Sequence, residues 1–454
     1  MKKNIIRQVA EAPAELLEKS INLTSKTAKK FRYNKTFNKP KKYWETLGPG
    51  LTTGAADDDP SGIATYSQAG AQFGFGLLWL APFTFPLMGV IQEMCARIGL
   101  VTGRGLASNI RKHFSRKILY VSTLLLFAAN TFNIGADLGV MAKTIQLFNP
   151  QLNFTLLIIV ITILLAGFQI FVPYNRYAKY LKWLALVLFA YVASAILANL
   201  NWVDVLQHAV VPSITFDKDQ LLLICAILGT TISPYLFFWQ TSQEIEDEIS
   251  HGLTTLVQRQ VTTKEQIKGM RTDVWSGMFF SNLVMFFIIA ACGAILFPHG
   301  ITNITSASQA AEALRPFAGE WTYTLFTIGI LGTGMLAIPV LAGSSSYAIS
   351  ESFQWREGLG KKLKSAYAFY GIIIISMIIG LCINFIGLNP IKVLIYSAVA
   401  NGVVAPMVLI PMVIISSNKK VMGEWVNDPI TKIIGWLVVI VMTLAGGAAI
   451  FSMF

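Results

Sequence analysis

Charge is scarce in this sequence. Asp, Glu, Lys and Arg make up 13% of its 454 residues, against about 25% in a soluble domain, which excludes a globule whose whole surface faces water. Cysteine is scarcer still. Cys95, Cys225, Cys292 and Cys382 each lie inside a long apolar run without close spacing, so neither a disulfide framework nor a thiolate metal cluster is expected, and all four are read as free thiols. His113, His208, His251 and His299 fall near the ends of such runs and share no ligand spacing. No phosphate-binding loop, Ser-His-Asp order or dinucleotide fingerprint stands at a strand–helix junction. The chain therefore reads as a non-enzyme, with no catalytic group and no resident cofactor.

What is abundant is apolar: 54% of the chain is hydrophobic. Eleven stretches reach roughly the 20 residues a bilayer requires, at 48–69, 77–99, 117–147, 153–172, 177–200, 219–245, 273–297, 322–348, 366–387, 391–415 and 430–452. The expected fold is an all-α polytopic membrane protein of eleven transmembrane helices. Lys and Arg cluster in the first 46 residues and at 104–117, 176–182, 259–271, 356–364 and 419–420. The loops between contain few: only Arg315 across 70–76, 148–152, 298–321 and 388–390, and only Lys218 in 201–218. By the positive-inside rule the N-terminus is cytoplasmic, the C-terminus lies outside, and the location is the inner membrane. Residues 1–46 form a basic tail with twelve Lys or Arg against four Glu. Beside a membrane domain this charge suits anionic lipid better than nucleic acid, and about 5–20 can form an amphipathic surface helix. It is not a secretory signal, since no compact apolar core follows the early charges. No obligate protein partner is implied.

Two of the stretches are interrupted. The first contains Asp57-Asp58-Asp59-Pro60-Ser61-Gly62, yet a charge at mid-bilayer costs roughly 2.5–3.5 kcal/mol. Pro60 removes a backbone donor and biases Asp59 away from helix. Broken backbone at membrane depth requires burial in protein or a water-filled cavity; the alternative is a solvated acidic loop at the bilayer edge. Five spans later Gly229-Thr230-Thr231-Ile232-Ser233-Pro234-Tyr235 breaks the sixth stretch. Matching breaks five spans apart predict inverted five-helix repeats of the LeuT type, over about 47–200 and 219–415, with interrupted helices 1 and 6 and an extra helix at 430–452, within a transporter domain spanning 47–454. The breaks then meet near the midplane.

Carboxylates are hard ligands, suited to Mg²⁺, Mn²⁺ or Ca²⁺. Asp59, next to Pro60, is best placed to enter the gap. Asp57 and Asp58 point to other sides of the turn, toward an entry route, solvent or a helix end. Opposite, Thr230, Thr231 and Ser233 offer hydroxyl or carbonyl oxygen and no sulfur. An all-oxygen site favours a hard ion that keeps part of its water shell. Asn130, Asn133 and Asp137 share one face of the third stretch, and Asp137 is either functional or a hydrogen-bonding staple. Glu93 and Arg97 are spaced to pair locally. Glu244, with Glu246, Asp247 and Glu248, forms either an acidic inner vestibule or, preferably, a solvated helix end. Asn401 and Pro406 mark a further bend beside the site.

Together these residues resemble the NRAMP family of divalent-metal transporters over about 45–450. The motifs that carry the resemblance are Gly48-Pro49-Gly50, Asp59-Pro60-Ser61-Gly62, the run Ala69 to Gly74, the run Ala96 to Gly103, Asn401-Gly402 with Pro406, and the run Ser417 to Gly423. The resemblance implies Asp59 as a metal ligand and, by position, the carbonyls of Ala56 and Thr230. Ser233 stands where the family has Met, Tyr235 where it has His and Gly62 where it has Asn. Asp137 matches the family's proton-route acid, but Val140 replaces the acid three residues on. This pattern is similar to the NRAMP-related magnesium transporters, which implies carriage of Mg²⁺ and Mn²⁺ without proton coupling. The alternatives are a carrier of a small amine or amino acid, contacted by Tyr235 and Trp239, and a non-transporting membrane sensor.

Overall fold

Every expected span is built of helix, and the two that carry breaks are each built of two helices. The computed structural model describes residues 39–453 apart from 173, 198–199, 216, 305–306 and 387–389. Most of the basic tail, with the surface helix expected at 5–20, lies outside the described residues; its last part, Lys39–Thr46, is a helix. No strand occurs among the described residues.

The first span is divided into α1 (Pro49–Asp57) and α2 (Pro60–Phe73). There follow α3 (Leu80–Thr102), α4 (Arg116–Phe148) and α5 (Phe154–Phe171). The fifth span is α6 (Tyr174–Leu184) and α7 (Phe189–Leu197), joined by a 3-10 turn at Ala185–Leu188. The sixth is α8 (Lys218–Thr231) and α9 (Pro234–Ser250). Then come α10 (Lys264–Ile295), α11 (Ala307–Phe353, bent where Gly319 takes φ 83°), α12 (Tyr367–Ile383), α13 (Pro390–Ser416) and α14 (Pro429–Met453). The helix of α13 continues through Pro406, which therefore does not end it.

Seven helical stretches among the described residues are long and apolar enough to cross a membrane. The other four expected spans are helical but fall short for identifiable reasons. The first is cut in two and the fifth is interrupted by its 3-10 turn. Helix α3 carries Gln92, Glu93 and Arg97, and α12 has 17 residues. The charges on α3 are matched: Glu93 pairs with Arg97 at 3.6 Å, as their spacing predicts, and also with Arg271 at 2.8 Å. Trp275 Nε1 donates to the same carboxylate at 2.9 Å, and Arg97 donates to Asn427.

The broken helices lie at the centre. In its most apolar stretch the α8–α9 span is 83% buried, against 28% for α5 and 33% for α14 at the periphery. Helix α10 runs along both halves of the first span because glycine lets the backbones touch. A Cβ on Gly277 would lie 2.1 Å from the carbonyl oxygen of Gly50, and one on Gly54 would lie 2.2 Å from that of Gly277. At the outer half a Cβ on Gly70 would lie 2.5 Å from the Ile289 carbonyl. Small residues at helix seams are how membrane helices approach closely without a hydrophobic drive between them.

Both ends of α1 are tied as well. Asp273 of α10 accepts the N–H groups of Gly48, Gly50 and Leu51 at 2.7, 2.7 and 3.0 Å. It thus satisfies donors that a helix start leaves free and places a carboxylate at the positive end of the dipole. Lys182 of α6 donates to the carbonyls of Trp44 and Leu47 just before, and its ammonium lies 4.6 Å from the Trp44 ring. At the other end Ser281 donates to Asp57 Oδ2 at 2.7 Å.

The acidic end of α9 is not a solvated helix terminus. Glu244, Glu246 and Glu248 are 6%, 4% and 4% exposed; only Asp247, which pairs with His251, reaches the surface. The reason is the loop after α11, which folds back over them. Glu246 accepts from Tyr347 Oη at 2.8 Å and from the Gly360 N–H at 3.3 Å, and Gln240 donates to Glu244 at 2.8 Å. In that loop, burial and the neighbouring Glu351 push the Glu357 carboxyl up to about 9.

Two predictions follow from the packing. Gly277→Val drives a side chain into backbone rather than into flexible atoms, so it should cost at least about 3 kcal/mol. Gly447→Ala, whose Cβ meets nothing within 4 Å, should stay within about 0.5 kcal/mol of wild type; thermal unfolding in detergent compares the two. Folded Glu357 holds its proton from its ordinary 4.5 up to about 9, so it binds more protons folded than unfolded across that window. Its contribution to stability therefore falls as pH rises. Glu357→Gln should raise the unfolding midpoint at pH 8 and leave it unchanged near pH 4.

Candidate metal site

Each break is made by a proline at the first position of the following half-helix, and each preceding residue is extended: Asp59 at φ −66°, ψ 166° and Ser233 at φ −79°, ψ 131°. The restriction that proline places on its predecessor explains both. The two residues then act in opposite directions. Asp59 reaches forward, and its Oδ1 accepts the Gly62 N–H at 2.6 Å, an N-cap for α2. Ser233 reaches back, and its hydroxyl lies 2.7 Å from the carbonyl oxygens of both Gly229 and Thr230, donating to the acceptors that the end of α8 leaves free.

The breaks touch. Tyr235 Oη donates to the Ala56 carbonyl at 2.9 Å, and the hydroxyls of Tyr66 and Thr231 are 3.3 Å apart. Gly62, with no side chain, lets the two breaks pack closely. A Cβ placed there would lie 3.1 Å from Thr230 Oγ1, 3.4 Å from the Asp57 carbonyl oxygen and 3.4 Å from Asp59 Oδ1. Oxygens of both broken spans therefore border one point. All of these residues are at most 2% exposed, so the three aspartates do not form a solvated loop at the bilayer edge. The negative dipole ends of α1 and α8 also meet here. Carbonyl, hydroxyl and carboxylate oxygen at one buried point is the chemistry of a hard cation.

The structure brings together Asp59, Gly62 and Thr230. Of the expected ligands, the Ala56 carbonyl also accepts from Tyr235 and the Thr230 carbonyl from Ser233, and beside Gly62 lie the Thr230 hydroxyl and the Asp57 carbonyl. Ser233 borders the site through its contact with Thr230. Asp58 is buried with neither carboxylate oxygen hydrogen-bonded, and Asp57 keeps one oxygen free beside the one that Ser281 holds. The acids do not converge; among the described residues no three His, Cys, Asp or Glu side chains could share a metal.

Helix α4 supplies what the motif at the first break does not reveal. Asn133 Nδ2 donates to Asp59 Oδ2 at 2.7 Å, and Asn133 Oδ1 accepts from Ser397 of α13 at 2.7 Å. The carboxylate is thus held on one oxygen by its own helix and on the other by a relay through two more. The polar stripe of α4 signals Asn133; nothing in the sequence pairs it with Ser397. Asn130 is a structural staple, donating to Leu341 O and Ser345 Oγ of α11. Asp137 follows Asn133 by one turn, fully buried, with neither oxygen hydrogen-bonded. Asn401 is buried with its Oδ1 unpartnered. Glu244, three turns beyond Ser233, is bonded to Gln240. Trp239 packs under Gly343 and beside Tyr347, which leaves it no role in holding an organic cation. One sulfur absent from both motifs comes near: Met285 Sδ of α10 lies 3.9 Å from Thr231 Oγ1.

Paired discontinuous helices with a buried acid at the joint define a polytopic helical membrane protein of the kind that holds substrate at the bilayer midplane. Residues 50–452 match the family described as natural resistance-associated macrophage protein-like (Nramp), and the chain belongs to that family. It is 25% identical over 406 residues to the divalent metal cation transporter MntH of Klebsiella pneumoniae, covering 88% of this chain and 92% of that one. With the MntH of Caldanaerobacter subterraneus subsp. tengcongensis it shares 26% over 417 residues, 90% of this chain and 94% of that one. Its fold is similar to that of a manganese transporter of Eremococcus coleocola, at a TM-score of 0.69 and 19% identity over 91% of this chain and 87% of that one. It is also similar to Mhp1, a nucleobase-cation-symport-1 family transporter, at 0.54 and 15% over 89% and 91%.

Gly62→Ala tests this point directly. The methyl group would lie 3.1 Å from Thr230 Oγ1 and 3.4 Å from the Asp57 carbonyl oxygen, so the bordering oxygens must shift. Mn²⁺ affinity should then fall by about 10–100-fold, the scale of outer-shell changes at metal sites, while the chain still unfolds cooperatively. Calorimetric titration measures it; unaltered affinity removes Gly62 from the site.

Proposed function

We propose that this chain is a secondary transporter of divalent metal cations, Mg²⁺ and Mn²⁺ above others, moved without proton coupling. The observation that carries the reading is the meeting of oxygens from two broken spans beside Gly62: the Asp59 carboxylate, the Asp57 carbonyl and the Thr230 hydroxyl. The substrates printed for the relatives, divalent metal for MntH and manganese for the Eremococcus coleocola transporter, agree with a hard oxygen site. Ser233 and Tyr235 point the preference toward Mg²⁺. Both are occupied with backbone carbonyls rather than offering sulfur or imidazole, so a bare transition ion has too few partners. An ion that retains water, as Mg²⁺ does, completes its shell from solvent. The metal is cargo, not a cofactor.

Alternating access follows from the architecture, with one bundle rocking against the rest around the breaks. We read eleven spans in inner-membrane topology, with inverted repeats over 47–200 and 219–415, the N-terminus cytoplasmic and the C-terminus outside. The membrane potential, roughly 2.3 kcal/mol per charge per 100 mV, acts twice over on a divalent ion and drives uptake without a second solute. Asp137 is then an acid of the pathway rather than a proton carrier.

Proteoliposomes test the reading. Wild type should take up Mg²⁺ and Mn²⁺ with no acidification of the lumen, and Asp59→Ala should abolish both fluxes, a loss of at least about 100-fold. Acidification that tracks uptake and disappears in Asp137→Asn would overturn the uncoupled mechanism; full flux in Asp59→Ala would overturn the site.

A further inference from the structure

At the end of the bundle that carries the Lys- and Arg-rich loops, four segments wall in a cleft of about 610 Å³. They are the residues after α3, the helix Leu106–His113, the stretch before α10 and the turn between α13 and α14. The charged groups lining it are Arg104, Lys112, His113 and Lys420, against Glu424 alone. None of Arg104, Lys112 and Lys420 has a carboxylate partner among the described residues. Arg104 Nε is buried without an acceptor. A buried donor without a partner is costly, so the cleft holds a cationic donor that an anion would satisfy.

The walls are prebuilt. Asn109 Nδ2 donates to Thr102 Oγ1 and to the carbonyls of Arg104 and Gly105, at 2.9, 3.0 and 2.9 Å. Across the cleft Gln260 donates to the Thr102 carbonyl at 3.2 Å and Thr262 to the Leu100 carbonyl at 2.9 Å. These bonds fix the backbone that carries Arg104 before any ligand arrives. Partial burial and the Lys112 ammonium beside it hold His113 below its usual range. Trp425, on the rim, is the kind of side chain that settles at headgroup depth.

We propose that this cleft binds a phosphate-bearing anion, which joins the end of α3, the helix Leu106–His113 and the turn after α13 through Arg104, Lys112 and Lys420. A planar guanidinium sharing one cleft with two ammonium groups suits phosphate oxygens in charge and hydrogen-bonding capacity. Basic clefts between membrane helices take anionic headgroups for this reason. The phosphate comes either from an acidic phospholipid or from a soluble phosphate ester, and the site chemistry is the same for both.

The experiment uses the full chain in neutral detergent and follows thermal unfolding. Short-chain phosphatidylglycerol, the matching phosphatidylcholine and inorganic pyrophosphate are titrated separately. Phosphatidylglycerol is expected to raise the midpoint and phosphatidylcholine to leave it unchanged. A response to pyrophosphate as well assigns the site to soluble phosphates, and none assigns it to lipid. The variant R104Q/K112Q/K420Q should weaken the half-saturating concentration by about 100-fold, roughly fivefold per cation removed. Lys112→Gln alone, an exposed change that spares the fold, should weaken it about fivefold. The control K117Q/K362Q/K364Q removes three exposed charges outside the cleft and should keep the wild-type response. No stabilisation by either anion, a triple variant that responds as wild type, or a control that loses the response equally overturns the proposal.

Discussion

The fold depends on one arrangement: two broken spans that each cap their own helix end and are joined by hydrogen bonds across the gap. Proline at 60 and at 234 stops each span, and a stopped helix in lipid must satisfy its free groups within the protein. Asp59 does so for the donors of α2, Ser233 for the acceptors of α8, and Tyr235 crosses the joint to the Ala56 carbonyl. The acid that caps the helix is thereby held at the point where carbonyl and hydroxyl oxygen from both halves converge. The hydrogen bonds that close the joint also fix the position of that carboxylate.

The spans and both breaks were legible because lipid imposes strong rules: about 20 apolar residues per crossing, an extended residue before each proline, and a reason for every buried acid. Asp59 was singled out by its neighbour Pro60, and the Glu93–Arg97 pair by helical spacing. Long-range pairing was not legible. Nothing local links Asn133 to Ser397, Ser281 to Asp57, or Met285 to the second break, because these contacts are set by how helices cross. The acidic end of α9 was misread for the same reason. Glu246 looks like a solvated terminus until the loop after α11, more than 100 residues on, closes over it.

The replacements at the breaks acquire physical meaning from their partners. Gly62 matters through the atoms it lacks, since without a side chain it lets oxygens of both breaks pack against it. Tyr235 carries an aromatic hydroxyl that donates to a carbonyl across the joint. Ser233 keeps the end of α8 capped. Both hydroxyls thus support the backbone at the breaks, beside the carboxylate of Asp59.

The ties on α1 have a mechanical consequence. Asp273 grips its start, Lys182 the turn before it, Ser281 its last residue, and glycines let it lie against α10 along its length. Helix α1 is therefore anchored to α10 at both ends and between them, so the half of the first span before the break can shift only if α10 travels with it.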